Sequence, residues 1–176
     1  LLNTYEVTDL KTVGVEPSEL AAEAADHGHR IFREFFDLEC AKSVTASVGM
    51  AKVVTATNVF PHVDRIREFV LGVKAALSDE GVSVMEASYM PDFIDQTLFD
   101  TIYHEHLCYL NLSSLTQFLE PLGLEVFDVE RVAVGASGPA VRVFAQLQGG
   151  GQEITPAVSD CLAFEEKWGV GTLTKY

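Results

Sequence analysis

Four consecutive residues, Tyr103, His104, Glu105 and His106, concentrate groups that can move protons or bind a metal. Histidine titrates near neutral pH, and a neighbouring carboxylate can raise its basicity and fix its tautomer. Side chains of these types are seldom required for packing a core. The stretch therefore indicates either a general acid/base site or a metal site.

Three interpretations of this stretch are open from the sequence. In an extended segment, His104, His106 and Cys108 would lie on one side, where they could bind zinc. Alternatively, one of the two histidines is a general base assisted by the neighbouring glutamate and tyrosine. The third interpretation is a polar surface turn. No further Cys or His lies nearby in sequence, although His62 could approach in the fold, so acid/base chemistry is favoured.

The composition is that of an acidic globular protein. The chain has 176 residues, 48% of them hydrophobic, and a formal net charge of -14. This length suffices for one domain with its own core, and the charge disfavours nucleic acid and anionic membranes as partners. There is neither an apolar run of roughly 18 residues nor a signal-peptide pattern at the start. Three widely spaced cysteines, Cys40, Cys108 and Cys161, favour a reducing, cytoplasmic location.

Hydrophobic periodicity predicts alternating strands and helices in the first half of the chain. The predicted strands are 11–15, 51–58 and 82–86, and the predicted helices are 18–27, 40–48 and 61–77. This alternation is typical of a parallel α/β sheet, whose ligands bind at the carboxyl ends of the strands. Glu16, Asn58 and Glu86 lie at such ends.

After residue 90 the pattern changes. The predicted elements are a helix over 112–122, a β pair over 124–134 and 140–147, and a helix over 154–168. Gly123 is expected to end the first of these helices. The predicted fold class is therefore α/β, with a β-hairpin and a helix as a C-terminal extension.

Single residues at the predicted strand ends could bind a ligand. Glu16 could accept hydrogen bonds from ribose hydroxyls, or it could simply cap the following helix. Asn58 and His62 flank a strand-to-helix junction, where they could reach a ligand or serve as a helix cap and a surface histidine. Arg142 lies within an apolar strand, so it needs a phosphate or carboxylate partner if it faces inward, and otherwise it faces water.

Four segments occur in an order that resembles a known family. They are Gly14–Ser18, Asn58–His62, Phe99–His106 and Ser137–Arg142. In this order they resemble the S-adenosylmethionine-dependent sugar C-methyltransferases, which act on nucleotide-linked 4-keto-deoxysugars. The resemblance covers nearly the whole chain. It is weakest in the last segment, where the family often has His-Gly-Gly-Ser before the arginine.

The resemblance implies a Rossmann-like class I methyltransferase sheet that is partial here. Residues 1–150 would form a partial methyltransferase domain, with a cofactor half over about 1–90 and a substrate half over about 91–150. Residues 151–176 would begin the connection to a further domain. A zinc-binding module, holding a structural zinc, and the first strand with its glycine-rich cofactor loop are expected before Leu1, so the chain by itself could be inactive.

The resemblance also implies a reaction and roles for individual residues. Methyl transfer from S-adenosylmethionine to carbon C3 of the sugar would require His106 as the base that forms an enolate. Glu105 would orient His106, and Tyr103 and His62 would hydrogen-bond the sugar or the enolate oxygen.

Binding roles follow in the same way. The residues expected at the cofactor are Glu16, Pro17 and Asn58, and those expected at the sugar nucleotide are Asn58, Tyr103 and Arg142, the last at the diphosphate. Two alternatives remain, namely a metal-dependent enzyme built on His104, His106 and Cys108, and a non-catalytic α/β module. The sequence leaves the oligomeric state open.

Overall fold

The computed structural model describes residues 10–135 and 138–173. Its strands are β1 (Val13–Val15), β2 (Arg30–Phe32), β3 (Ala51–Thr57), β4 (Leu77–Ser88), β5 (Leu124–Gly135) and β6 (Gly138–Leu147). Its helices are α1 (Leu20–Asp26), α2 (Leu38–Val48), α3 (Ile66–Ala76), α4 (Met90–Asp95), α5 (Leu112–Leu119) and α6 (Pro156–Trp168). Ser137, in the last of the four family-like segments, lies outside the described residues.

The described strands form two sheets. β1 and β2 pair in parallel, and a second sheet has the order β3-β4-β6-β5. Within the second sheet β3 and β4 are parallel, whereas β6 runs antiparallel to both of its neighbours. The α/β class with a C-terminal hairpin and helix is confirmed. The expectation that the strand at 11–15 shares a sheet with the strands at 51–58 and 82–86 is not met among the described residues.

The helix predicted over 61–77 begins later than expected. Residues Phe60–His62 form a 3-10 turn instead, and Val63 has an extended backbone that separates this turn from α3. Phe60 and Pro61 are buried, whereas His62 is exposed. The turn thus fixes the strand-to-helix junction to the core and leaves the histidine at the surface.

The core lies between the four-stranded sheet and the helices packed on it. Its fully buried side chains include Val70 and Val73 of α3, Leu112 and Leu119 of α5, and Met85 of β4. α2 packs tightly against α3. A Cβ added to Gly72 would lie only 2.7 Å from the carbonyl oxygen of Asp37, which is closer than van der Waals contact. No helix in the described part of the chain is both long enough and apolar enough to cross a membrane.

Candidate active site

The junction after β3 places Asn58 and His62 at one edge of the sheet. Asn58 adopts a left-handed backbone with φ of 54°, a conformation that asparagine tolerates better than most residues. Its N–H donates to the carbonyl oxygen of Glu86 at 2.7 Å, which ties it to the same end of the parallel neighbour β4. The predicted grouping of Asn58 and Glu86 at adjacent strand ends is therefore observed.

The segment that carries the two histidines is a turn, not an extended strand. The N–H of His106 donates to the carbonyl oxygen of Tyr103 at 3.1 Å, and the next residue's N–H donates to Pro61 at 2.8 Å. The turn sends His104 outward, with 90% of its side chain exposed. The one-sided arrangement required by the zinc interpretation is absent, and the described residues contain no group of three or more His, Cys, Asp and Glu placed to hold a metal ion.

Cys108, the third ligand of that interpretation, is a half-buried thiol. Burial raises its pKa above the ordinary thiol value. Among the described residues, this thiol belongs to no group of three or more such side chains placed to hold a metal ion.

His106 is held through both ring nitrogens. Nδ1 lies 2.8 Å from the carbonyl oxygen of Thr101, and Nε2 lies 3.0 Å from the hydroxyl of Tyr103. A carbonyl oxygen can only accept, so Nδ1 carries the proton, and in the neutral ring Nε2 is the nitrogen with a lone pair. The Tyr103 hydroxyl donates to that lone pair. The arrangement therefore fixes one tautomer and presents one basic atom.

His62 completes what we call the imidazole cluster, which consists of His62, Tyr103 and His106. The ring centroid of His62 lies 4.8 Å from that of His106 and 6.5 Å from that of Tyr103. Nδ1 of His62 lies 3.0 Å from the carbonyl oxygen of Glu105 and donates to it, which leaves its Nε2 as an acceptor. Three groups that can donate or accept protons thus meet at one exposed edge of the fold.

Glu105 does not orient His106, contrary to expectation. Its carboxylate lies 3.9 Å from Nε2 of His104, and its backbone carbonyl serves His62. The orienting group on His106 is the carbonyl oxygen of Thr101. Sequence reasoning missed Thr101 because a backbone carbonyl carries no side-chain signal, and only the path of the turn brings it into place.

Arg142 is paired with two carboxylates of the protein itself. Its Nε and one terminal nitrogen donate to Glu86 at 2.9 and 2.6 Å, and the other terminal nitrogen donates to Glu130 at 2.7 Å. The three residues stand opposite one another on adjacent strands. The hydrogen bond to Glu86, with the charges of both carboxylates, raises the pKa of Arg142. The predicted anionic partner is supplied by the protein itself, and the expected contact with a diphosphate stays a prediction.

Glu16 lies on the smaller sheet, at the end of β1, and is half-buried. One carboxylate oxygen accepts the N–H of Ser18 at 2.8 Å, and the Glu16 N–H donates to Phe32 at 3.0 Å. Pro17 is exposed beside it. These contacts hold the glutamate at a strand end, and no described contact joins it to the imidazole cluster.

Comparison with known proteins places the fold among the methyltransferases. C-methyltransferase NovU of Streptomyces niveus is 34% identical over 176 residues, which is 99% of this chain and 41% of that protein. This similarity confirms the resemblance stated from the sequence. The chain thus spans less than half the length of that curated relative, and no protein-family model matches it.

Solved structures agree on the fold at low sequence identity. The plantazolicin methyltransferase BpumL, solved with S-adenosylhomocysteine, has a TM-score of 0.60 at 10% identity, covering 84% of this chain and 71% of its own. A SAM-dependent methyltransferase of Anabaena variabilis has a TM-score of 0.55 at 14% identity, covering 77% and 68% respectively. The fold is therefore the Rossmann-like fold of class I S-adenosylmethionine-dependent methyltransferases.

Proposed function

From its relationship to a C-methyltransferase and its methyltransferase fold, we propose that this chain is the base-bearing part of an S-adenosylmethionine-dependent C-methyltransferase. The acceptor is carbon C3 of a nucleotide-linked 4-keto-deoxysugar. Residues up to about 90 serve the cofactor, and residues from about 91 to 150 serve the sugar. The free thiols of Cys40, Cys108 and Cys161 fit a reducing, cytoplasmic setting.

The observation that carries this proposal is the single basic nitrogen of His106. A carbon atom is a poor nucleophile until a proton beside a carbonyl is removed, so the enzyme needs a positioned base. Thr101 holds Nδ1 of the ring, so Nε2 is the atom that takes the C3 proton. The proton ends on Nε2, and the C–H electron pair becomes the enolate.

Tyr103 and His62 steady the negative charge that develops. Before substrate binds, the Tyr103 hydroxyl donates a hydrogen bond to Nε2 of His106. When the substrate binds, the hydroxyl donates to the 4-keto oxygen instead. This change frees Nε2 to act as the base and gives the enolate oxygen a hydrogen-bond donor. Preorganised donors at a developing oxyanion are among the largest contributions to catalysis. His62, 4.8 Å from His106 between ring centroids, contacts the sugar beside them.

The strand ends fit the cofactor. Glu16 has a carboxylate pinned at the end of a parallel strand, the position from which ribose hydroxyls are recognised in nucleotide-binding α/β folds. Pro17, which follows Glu16, contacts the cofactor beside it. Asn58 supplies a side-chain amide at the end of β3, between the cofactor and the sugar. When bound, S-adenosylmethionine supplies the electrophilic methyl group that the enolate carbon accepts. The chain's own residues bind, orient and move the proton.

The test is proton exchange in the full-length protein with His106→Asn. The wild type should exchange the sugar C3 proton with deuterated solvent. In the variant, the rate of this exchange should be lower by a factor of roughly 100 or more. Calorimetry should show unchanged affinity for S-adenosylhomocysteine. His104→Asn, at the exposed neighbouring imidazole, is the matched control and should exchange normally. Normal exchange in the His106 variant would remove His106 as the base.

A further inference from the structure

Helix α6 places a fully buried carboxylate against the beginning of α5. Glu165 has no accessible surface, and its Oε1 accepts the N–H of Leu112 at 2.5 Å and the hydroxyl of Tyr89 at 2.8 Å. Its Oε2 accepts the N–H of Ser113 at 2.8 Å and the hydroxyl of the same serine. The first amides of a helix have no partner within the helix, so this carboxylate caps α5 from another element.

The capped end is also where the base-bearing loop, residues 96–111, returns to the core. Tyr89, which donates to Glu165, pairs with Leu110 in an isolated β-bridge, and the N–H of Met90 donates to Leu110 at 2.8 Å. Glu165 therefore contacts both the first turn of α5 and the residue that holds the end of the loop.

The other end of the loop is held by the same helix. Trp168, three residues after Glu165, donates its indole N–H to the carboxylate of Asp95 at 3.0 Å. Asp95 is the last residue of α4, immediately before the loop begins. Residues three apart lie on one face of a helix, so one face of α6 serves both ends of the loop.

The loop itself buries little apolar surface. Phe99, Ile102 and Leu107 are 74%, 65% and 55% exposed. Thr97, at its start, has a left-handed backbone with φ of 56°, which is strained for a β-branched residue. A segment with few packed side chains depends on its attachments for its position. The attachments through α6 therefore fix the two ends of the loop that carries Tyr103 and His106, and hydrogen bonds to Pro61 and His62 hold its middle.

We propose that α6 is a clamp for the base-bearing loop, with Glu165 and Trp168 as positioning residues that set the hydrogen bond between Tyr103 and His106. The role in catalysis rests on the proposed function, whereas the clamp itself does not. Neither residue reaches the imidazole cluster; both act through the ends of the loop.

The decisive variant is Glu165→Gln in the full-length protein. An amide nitrogen cannot accept from a backbone N–H, so at least one donor of α5 or Tyr89 loses its partner. Trp168→Phe keeps an aromatic ring but removes the indole N–H together with part of the buried bicyclic ring, so it tests the other attachment at the cost of some packing. Glu166→Gln changes the exposed neighbour on the same helix and is the matched control.

Two measurements test the clamp independently of activity. Amide hydrogen exchange over 96–111 should quicken roughly tenfold in Glu165→Gln, which is the effect of losing one hydrogen bond, while β3 and β4 keep their protection. The ¹⁵N resonance of His106 Nε2 should move in the direction produced by Tyr103→Phe. Trp168→Phe should give the same local pattern, and Glu166→Gln should match the wild type.

Opposite results overturn the clamp. Unchanged exchange in the loop, or exchange that rises equally in β3 and β4, would make Glu165 an ordinary packing residue.

The methyl-transfer assay tests the role of the clamp in catalysis. In Glu165→Gln, kcat should fall, with the KM for S-adenosylmethionine within about twofold of the wild type. If the wild type transferred no methyl group, the proposed function would fail, and the exchange and resonance measurements would still decide the clamp.

Discussion

The Tyr103 hydroxyl lies 3.0 Å from Nε2 of His106, while Nδ1 of the same ring lies 2.8 Å from the Thr101 carbonyl oxygen. The ring therefore has one acceptor nitrogen, and the Tyr103 hydroxyl donates to it. Tyr103 and His106 form one hydrogen-bonded unit. The carboxylate of Glu105 lies outside that unit.

Substitutions at Tyr103 and Glu105 should have very different effects on C3 exchange. Tyr103→Phe removes the proposed donor to the enolate oxygen and should slow exchange about 100-fold, the usual effect of losing one such donor. Glu105→Gln keeps the backbone carbonyl that orients His62 and should change the rate by less than about threefold, since no side-chain bond to the base is lost. Deuterium incorporation into the sugar, followed by NMR in the full-length protein, measures both.

The reverse ranking would contradict this geometry. If Glu105→Gln stopped exchange while Tyr103→Phe left it intact, the carboxylate would be the working partner of the base. His104→Asn controls for a change at this turn that leaves the unit in place.

Arg142 should matter for stability more than for substrate binding. Arg142→Met leaves the buried carboxylate of Glu86 without its counter-charge, which should lower the free energy of unfolding by about 2 kcal/mol, less than for a deeply buried pair because the arginine is 35% exposed. Urea denaturation measures the loss. The double variant with Glu86→Gln should recover about half of it, because the charge is then gone.

Substrate affinity provides the second test of this ladder. Each of the three guanidinium nitrogens already donates to Glu86 or Glu130, so we expect the dissociation constant for a sugar nucleotide to change by less than about threefold in Arg142→Met. A loss of affinity above tenfold with unchanged stability would instead support the diphosphate role of Arg142.

The order of strands and helices was predictable because periodicity and turn residues act locally. The β pair at 124–134 and 140–147 and the helix at 112–122 lie within a few residues of β5, β6 and α5. The helix after β3 was misplaced at its start because proline suits a 3-10 turn as well as the first turn of an α-helix.

The contacts of the site were less predictable because they cross the chain. The tautomer of His106 depends on a backbone carbonyl five residues away, and Arg142 is satisfied by Glu86, which is 56 residues away. Glu165 gave no signal, since a glutamate in a helix pattern reads as a solvated residue until α5 is placed against it. Residue types indicated which groups could take part in acid/base chemistry. Strand register and the path of the turn determined the hydrogen-bond partners of those groups.

Asp37 should stabilise α2 in a pH-dependent way. Its carboxylate accepts the N–H groups of Cys40 and Glu39 at the helix N-terminus, and Arg65 lies 3.0 Å away. The backbone hydrogen bond from Cys40, followed by that from Glu39 and the charge of Arg65, lowers the pKa of Asp37 below its ordinary value. Asp37→Ala should therefore lower the free energy of unfolding by about 1 kcal/mol near neutral pH.

The sign of the pH effect follows from the lowered pKa. The contribution of Asp37 is complete above the unfolded-state pKa of about 3.9, and it is lost as the pH falls through the lower folded-state value. The difference in unfolding free energy between wild type and Asp37→Ala should thus be constant from about pH 5 upward and should shrink below about pH 4. Asp37→Asn keeps an acceptor without the titrating proton, so its advantage over alanine should not vary with pH. A difference that grows on acidification would contradict the assigned cause.

The tight contact between α2 and α3 gives the last prediction, at Gly72. A Cβ at this position would lie 2.7 Å from the carbonyl oxygen of Asp37 and 2.8 Å from its carbonyl carbon, both backbone atoms that cannot turn aside. Gly72→Ala gains helix propensity of about 1 kcal/mol, and forcing the helices apart should cost about 1 to 3 kcal/mol, so we expect a net loss of up to about 2 kcal/mol. Gly151→Ala, where a Cβ meets nothing within 4 Å, is the matched control and should be close to neutral. Thermal denaturation compares the two variants, and a stabilised Gly72→Ala would mean that α2 and α3 sit farther apart in solution.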